Sequence, residues 1–329
     1  MSVNEDGDYM KKRKVISISV ILSLIVIILI MLNFQKTFHR EYNSNLEIKT
    51  IEANNVINEN KIFCFQIADT YTDDEQLTDL LDQNNSINSL KKFNKDINNN
   101  FNFLEITMQP LEVIGQFYHG GNDFVVTPRS KKDLKNQKVN LKGKKVYVTP
   151  LKAIQIGKYA FNTYFNKVED GHGFNNSDFI YESNNDIPVI LGNEYKNYYN
   201  LGDIIEVNYL EQNVKLIIIG FFEKDLSISI NGNLYNLDTY ICSPHFDIED
   251  IKDGKDKLFQ QRYYLQKNNG YIQLDSDISK KLTDESYFDE VNLESYVSLI
   301  KEISKNNNIS YEPLKLISEI EIKNNEPLT

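Results

Sequence analysis

The chain has no tryptophan, only two cysteines and four histidines, and just four arginines among its 36 basic residues. Cys64 and Cys242 are too few for a disulfide-dense scaffold, and with the scattered histidines they show no metal-site spacing. The two thiols either close one disulfide outside the cytosol or sit as small buried apolar residues in strands. Positive charge is short overall, with a formal net charge of −11. The first 14 residues carry four bases (Lys11, Lys12, Arg13, Lys14) against three acids (Glu5, Asp6, Asp8). That segment is therefore +1, residues 15–33 carry no charge, and −12 remains for the rest of the chain. A domain of that sign repels a phosphate backbone, so no nucleic-acid partner is expected.

The motifs of several chemistries are missing as well. No GxxxxGK(S/T) loop occurs, so any ATP hydrolysis must come from a partner. Neither G-x-S-x-G nor H-E-x-x-H is present. His119-Gly120-Gly121 has the form of an oxyanion-hole loop but lacks a nucleophile elbow, and it reads as a strand-end turn. His172 lies among Asp170, Asn175, Asn176 and Asp178, which lack the ligand order and closing Glu of an EF-hand and read as a solvated turn. Ser243-Pro244-His245 reads as a strand exit. The pairs Tyr198/Tyr199 and Tyr263/Tyr264 read as half-buried aromatics rather than a stacking platform. No catalytic, cofactor-binding or metal-ligating residue is assigned, no cofactor is expected, and the chain is read as non-enzymatic.

One long apolar run stands out against this background. Residues 15–33, VISISVILSLIVIILIMLN, carry no charge. At 1.5 Å per residue a helix of this length spans roughly 28 Å, close to a bilayer's hydrocarbon core. Its few serines can bond back to the helix's own carbonyls. The cluster Lys11–Lys14 places the N-terminus in the cytoplasm and the following domain outside. No small-x-small site follows and the first cysteine is Cys64, which argues against a cleaved signal peptide or a lipoprotein. The next apolar run, Leu216–Phe222, is interrupted by Gly220 and reads as a core strand. The expected organisation is a cytoplasmic tail 1–14, a transmembrane helix 15–33, a connector 34–60, an extracytoplasmic domain 61–320 and a tail 321–329.

Within the domain, Ile62–Ile67 reads as a buried strand. Thr72-Asp73-Asp74-Glu75 has capping-box form, and Leu77, Leu80 and Leu81, then Ile87, Leu90, Phe93 and Ile97, predict a helical pair or one broken helix over 73–98. Strands are expected at Phe103–Met108, Glu112–Tyr118, Lys145–Val148 and Ile154–Ile156, with a short helix or turn at Gly157–Phe165. After a loop rich in Gly, Asn and Asp, a strand runs from Asp186 to the turn at Gly192, followed by a short helix Glu194–Asn200. Ile204–Tyr209 and Val214–Phe222 follow, joined by a turn at Glu211–Asn213. Thr239–Cys242, Arg262–Leu265 and Tyr271–Leu274 read as strand-like runs. Leu293, Tyr296, Val297, Ile300 and Ile303 predict a last amphipathic helix, with Leu314–Ile320 a final strand or short helix. The fold class is α+β: a two-lobed domain in which a β-α-β lobe carries an inserted β-rich lobe at about 157–237.

The stretch 168–225 reads VEDGHGFNNSDF, then IPVILGNEYKNYYNLGDIIEVNYLEQNVKLIIIGFFEKD. It resembles the MacB-like periplasmic core domain of FtsX/MacB-like ABC transporter permeases. That family shows a Gly-containing loop, an acidic turn, "PV-LG", a short helix, "lGd-i", and a strand closing in "viGf". His172 departs from it, standing where the family usually carries Arg and a salt bridge. The basic N-terminus, the single span, IFCFQIADT and FLEITMQPLEVIGQF resemble Gram-positive members linked to bacteriocin or antimicrobial-peptide export and immunity. The resemblance spans roughly residues 11–320, and such permeases continue with three more membrane helices where this chain stops at Thr329. It implies a membrane-anchored, permease-like subunit that couples to or captures a peptide substrate. The implied partners are an ABC-type ATPase, multi-span permease subunits and an amphipathic peptide. The alternative is a free-standing single-pass extracellular binding, sensor or immunity protein.

Overall fold

The computed structural model describes residues 61–71, 74–115, 120–126, 138–141, 143–181, 185–249, 254–282 and 293–323. The expected tail 1–14, membrane segment 15–33 and connector 34–60 lie outside these residues. So do Thr72 and Asp73 of the capping box, the end of the strand expected to reach Tyr118, His119, and residues 324–329. Among the described residues no helix is long and apolar enough to cross a membrane.

The first strand, β1 (Lys61–Asp69), alternates as IFCFQIA demands. Phe63, Phe65 and Ile67 enter one hydrophobic core while Ile62 and Cys64 enter another. The chain continues through β2 (Phe103–Leu104), β3 (Ile106–Thr107), β4 (Leu111–Ile114), β5 (Lys138–Leu141), β6 (Lys144–Leu151) and β7 (Ala153–Ile156). Next come β8 (Val168–Gly171), β9 (Ile180–Tyr181), β10 (Ile187–Leu191), β11 (Ile204–Tyr209) and β12 (Gln212–Phe222). The remaining strands are β13 (Ser227–Ile230), β14 (Asn233–Asn236), β15 (Ile241–Pro244), β16 (Asp247–Ile248), β17 (Gly270–Gln273) and β18 (Tyr311–Lys323). The helices are α1 (Asp74–Asp82), α2 (Ser86–Asn100), α3 (Gly254–Lys267), α4 (Ser276–Leu282) and α5 (Glu294–Asn306).

Six strands form an antiparallel sheet in the order β14-β13-β18-β1-β17-β2. Helices α2, α3 and α5 cover the Phe63/Phe65/Ile67 face. Leu90, Phe93 and Ile97 of α2 are fully buried there, and Phe93 stacks on Tyr311 of β18 at 4.6 Å between centroids. Each such side chain contributes about 1.5–3 kcal/mol of burial. The opposite face buries Ile62 and Cys64 with Phe161, Phe165, Leu226 and Ile228. Residues 74–100 form a helical pair rather than one helix, broken at 83–85, where Ser86 bonds Gln83 through both its amide and its hydroxyl. The last strand is thirteen residues long and lies beside the first, Lys61 opposite Glu321 and Asp69 opposite Tyr311.

Ten strands form a second, mixed sheet in the order β3-β7-β15-β10-β12-β11-β4-β6-β5, with β8 added beside β12. The β10/β12 and β15/β7 pairs are parallel and the others antiparallel. The expected single strand Phe103–Met108 is divided: β2 pairs in the six-stranded sheet and β3 in the ten-stranded one, with Glu105 at the crossing. The chain returns to the six-stranded sheet with the hairpin β13–β14, then rejoins the ten-stranded sheet at β15.

Arg262–Leu265, expected as strand-like, lies inside α3. Its apolar signal is masked because Gln260, Gln261 and Lys267 are buried alongside Phe259, Tyr263 and Tyr264, so no clean polar face remains. The start of the expected loop after residue 167 is instead strand β8, because it lies against the end of β12.

Candidate functional site

The segments that carry the permease resemblance converge at the β8–β12 end of the ten-stranded sheet. Gly171 has φ +80° and pairs with Gly220. A Cβ on Gly171 would stand 2.2 Å from the Ile219 carbonyl oxygen and 2.9 Å from Gly220 Cα. A Cβ on Gly220 would meet the His172 carbonyl oxygen at 2.7 Å. The two glycines are therefore one feature, a backbone approach that no side chain fits. Ile180 onward leads to β10, whose Gly192 closes against Leu237 and Asp238.

Glu169 and Asp170 on β8 are held by the turn after β10. Lys196 Nζ lies 2.6 Å from Glu169 Oε2 and 2.6 Å from Asp170 Oδ2. Asn193 Nδ2 donates to Glu169 Oε2 at 2.7 Å and to the Phe222 carbonyl at 3.0 Å. The hydrogen bonds and charge of Lys196, with the Asn193 hydrogen bond, hold the Glu169 carboxyl below the usual range. Burial works against the charged Lys196 amine, but its bonds to Asp170 and Glu169 outweigh that and raise it. His172 is exposed, with Nδ1 2.9 Å from the Gly173 carbonyl oxygen. The cation that bridges Glu169 and Asp170 is thus Lys196, from the turn after β10, and not His172.

Next to this cluster the outer side of the sheet is covered at Ile190 and Ile219, which join the second core, and half-buried at Pro188 and Ile217. Inward residues Ile205, Val207, Tyr209, Leu216, Ile218 and Val189 are buried. Outward, Ile204 pairs with Ile217, and Ile217 with Pro188, giving an apolar row across three strands. Glu206 opposite Lys215 forms the next row. The turn before β11 adds Tyr198 and Leu201 to the exposed apolar surface.

A second polar constellation is internal, where the chain crosses between the sheets. Glu105, 5% exposed, accepts at Oε1 from Asn94 Nδ2 at 2.8 Å and Asn98 Nδ2 at 3.0 Å. Burial pushes its carboxyl up, against the charge of Lys267 and the two amide bonds. Lys267, 3% exposed, donates to the Phe246 carbonyl at 3.1 Å and to Asp247 Oδ1 at 2.6 Å. His245, 2% exposed, has Nε2 2.8 Å from Thr107 Oγ1, and burial, then the Lys267 charge, holds it well below its ordinary value. Gln155 bridges the same strands, bonding Thr107 and both backbone groups of Gln109. Tyr263 and Tyr264 lock the neighbouring strand: the Tyr263 hydroxyl bonds the Phe246 amide and carbonyl, and the Tyr264 hydroxyl accepts from the Ile248 amide. These bonds tie the two sheets together at the crossing, while His245 Nδ1 is buried without a hydrogen-bond partner.

The residues singled out in the sequence separate accordingly. Asn175 and Asp178 cap the short turn Asn176–Phe179 reciprocally, so their oxygens are used locally. Ser243 and Pro244 end β15, and His245 enters the buried network. Tyr263 and Tyr264 are core residues, while Tyr198 is exposed. Cys64 and Cys242 are free and buried, on different sheets, and burial pushes both thiols up. Sequence reasoning missed Glu105 and Lys267; the one available signal was a carboxylate interrupting the apolar run FLEI.

No protein-family model matches the chain, and no curated protein matches it. Among solved structures it is similar to the extracellular domain of the noncanonic ABC-type transporter YknZ from Gram-positive bacteria. The likeness covers 78% of this chain and 100% of the other, with 14% identity and a TM-score of 0.33.

Proposed function

We propose that this chain is a membrane-anchored, non-enzymatic, permease-like subunit of an ABC transporter whose extracytoplasmic domain couples to or captures a peptide. The observation that carries this reading is the pairing of β1 with β18. It brings residues 61 and 321 side by side in the middle of one sheet, so both ends of the folded domain emerge together. Adjoining ends suit a domain attached at one side, and in the sequence the apolar segment 15–33 with its Lys11–Lys14 flank precedes it. The convergence of Gly171, Gly220, Gly192 and Lys196 supports the same family reading, because the resembling segments share one structural purpose.

Co-purification tests it. Expressed in a Gram-positive host with its neighbouring genes, the full chain is expected to fractionate with the membrane and to be recovered with an ABC ATPase and a multi-span permease. On intact cells, protease is expected to cut the domain and spare the N-terminal tail. Recovery of the chain alone would favour a free-standing binding or immunity protein, and a soluble, protease-protected chain would sink both.

A further inference from the structure

The net charge of −11 conceals a local reversal. Between residues 129 and 145 the sequence holds eight lysines and arginines against one acid, Asp133. That stretch is +7, which leaves −18 for the rest of the chain. Its described part lies in the hairpin β5–β6, where Lys138, Lys144 and Lys145 are exposed. Lys138 pairs with Tyr147 in register, and its Nζ lies 4.5 Å from the centre of the half-buried Tyr147 ring. Among the described residues no carboxylate stands within ion-pairing distance of these three lysines. A lysine on an edge strand blocks pairing with another edge, and β5 is the last strand of its sheet. That role accounts for Lys138, but Lys144 and Lys145 stand on β6, which is not an edge.

The basic end of the hairpin projects. Strand β4 meets β6 only from Leu151 to Val148, and the Gly115 amide bonds the Tyr147 carbonyl. Among the described residues, 144–146 pair with β5 alone. A Cβ built on Gly143, at the tip, would meet nothing within 4 Å. Strand directions carry this tip toward the end of the domain where the chain enters and leaves. Strand β4 runs toward the tip and β11 is antiparallel to it, so β11 starts at the tip's end of the sheet. Strand β12, antiparallel to β11, therefore finishes at that end, at Phe222. Ser227 then opens β13 opposite Lys323, two residues beyond Glu321, the partner of Lys61. The short link between Phe222 and Ser227 holds them within about 18 Å of each other.

We infer that the tip of the β5–β6 hairpin seats on the phosphate headgroups of an anionic lipid surface, with Lys138, Lys144 and Lys145 facing phosphate and Tyr147 at headgroup level. Lysine beside tyrosine is the pairing that sits at a membrane–water interface. An anionic surface repels the −18 carried elsewhere, and Glu169 and Asp170 at the end of β12 are bridged by Lys196. The hairpin therefore selects which side of the domain turns to the lipid. A tether to the same membrane keeps the headgroups at high effective concentration, so a few lysines suffice. The inference rests on the membrane-anchored reading proposed above for the presence of that surface.

The test uses the full chain in nanodiscs of zwitterionic lipid, with and without added phosphatidylglycerol. Exposed amines are acetylated with a water-soluble reagent, and the rate at each lysine is read by mass spectrometry. Lys144 and Lys145 are expected to react about fivefold more slowly in the anionic discs, with high salt restoring the rate. Lys92 of α2 and Lys301 of α5, both exposed, are expected to be unchanged. Because the chain has no tryptophan, Tyr147→Trp supplies a lone fluorophore. Brominated phosphatidylglycerol is expected to quench it. Adding Lys138→Gln, Lys144→Gln and Lys145→Gln is expected to abolish the quenching with an unchanged thermal transition. Equal rates in the two discs, slowing shared by Lys92 and Lys301, or quenching indifferent to the triple substitution would overturn the inference. Protection already complete in zwitterionic discs would make the acidic surface of a second copy the occupant. Protection there by millimolar inorganic phosphate, with no further effect of anionic lipid, would make it free phosphate, and either result overturns the lipid contact. If the chain is recovered with the membrane and a transporter yet fails this test, the lipid contact falls and the anchored reading stands. A chain that enters no membrane overturns both.

Discussion

Gly171 and Gly220 face each other across the β8–β12 pair so closely that each excludes a side chain on the other's strand. The first expected outcome follows from that approach. Gly171→Ala should cost about 3 kcal/mol, combining a positive-φ penalty with a clash against the Ile219 carbonyl. Gly220→Ala should cost about 2 kcal/mol by overpacking alone. The double variant should cost less than the sum, because one displacement of β8 relieves both contacts. Urea denaturation of the three variants measures this, and strict additivity would show that the two clashes are independent.

Lys196 is expected to set the titration of Glu169. In the wild-type chain the Glu169 carboxyl lies below its ordinary range, so its stabilising charge is present above the unfolded value of 4.5 and lost as pH falls through the folded one. Lys196→Met should move the Glu169 titration upward. A carboxyl-carbon NMR titration reads the shift directly, and an unmoved Glu169 would assign its depression to Asn193 instead.

His245 and Glu105 are expected to give the domain two opposed pH responses. The folded-state value of His245 is depressed, so as pH falls below 6.5 the unfolded chain takes up a proton that folded His245 refuses, and stability drops. His245→Gln should remove that acid loss. The measurement is the denaturation midpoint from pH 7.5 to pH 5.

For Glu105 the sign is reversed. Its folded value is raised, so the folded state holds a proton that the unfolded chain releases above 4.5, and stability falls as pH rises. Glu105→Gln keeps an acceptor for Asn94 and Asn98 and removes the buried charge, so it should stabilise by on the order of 1 kcal/mol near neutral pH. It should also steepen the acid loss, because the His245 response is then unopposed. A Gln variant that destabilises at pH 7 would mean that Lys267 needs the carboxylate as a counter-ion.

The parts of the fold that were legible are those whose burial shows as a plain apolar pattern, on both faces in IFCFQI and on one face in the others. IFCFQI, the α2 positions Leu90, Phe93 and Ile97, and the hairpin from Ile204 to Phe222 all show their period in the sequence and in the structure. Helix α3 was illegible because it buries Gln260, Gln261 and Lys267 with its aromatics. The hairpin β13–β14 was legible and overlooked: Asn231-Gly232, both at positive φ, is an Asn-Gly two-residue turn between strands. In the β11–β12 hairpin the turn falls on Leu210 and Glu211, also at positive φ, which no residue preference announces. The glycine cluster was readable as a pattern, and its partner Lys196 was not, since long-range pairing leaves no local trace. Glu105 escaped for the same reason: its amide partners lie on a helix seven and eleven residues before it.

The neighbouring placement of β1 and β18 has a mechanical consequence. Their hydrogen bonds run across the strands, and residues 61 and 321 lie at the same end of the ladder. A tug on both ends together along the strands loads the pair without sliding one strand past the other, so the sheet travels as a unit. Forcing the same ends apart sideways opens the ladder one rung at a time, starting at Lys61 and Glu321. The domain is stiff to being towed and weak to being unzipped. That is how a lever behaves when its handle is two strands gripped at one end.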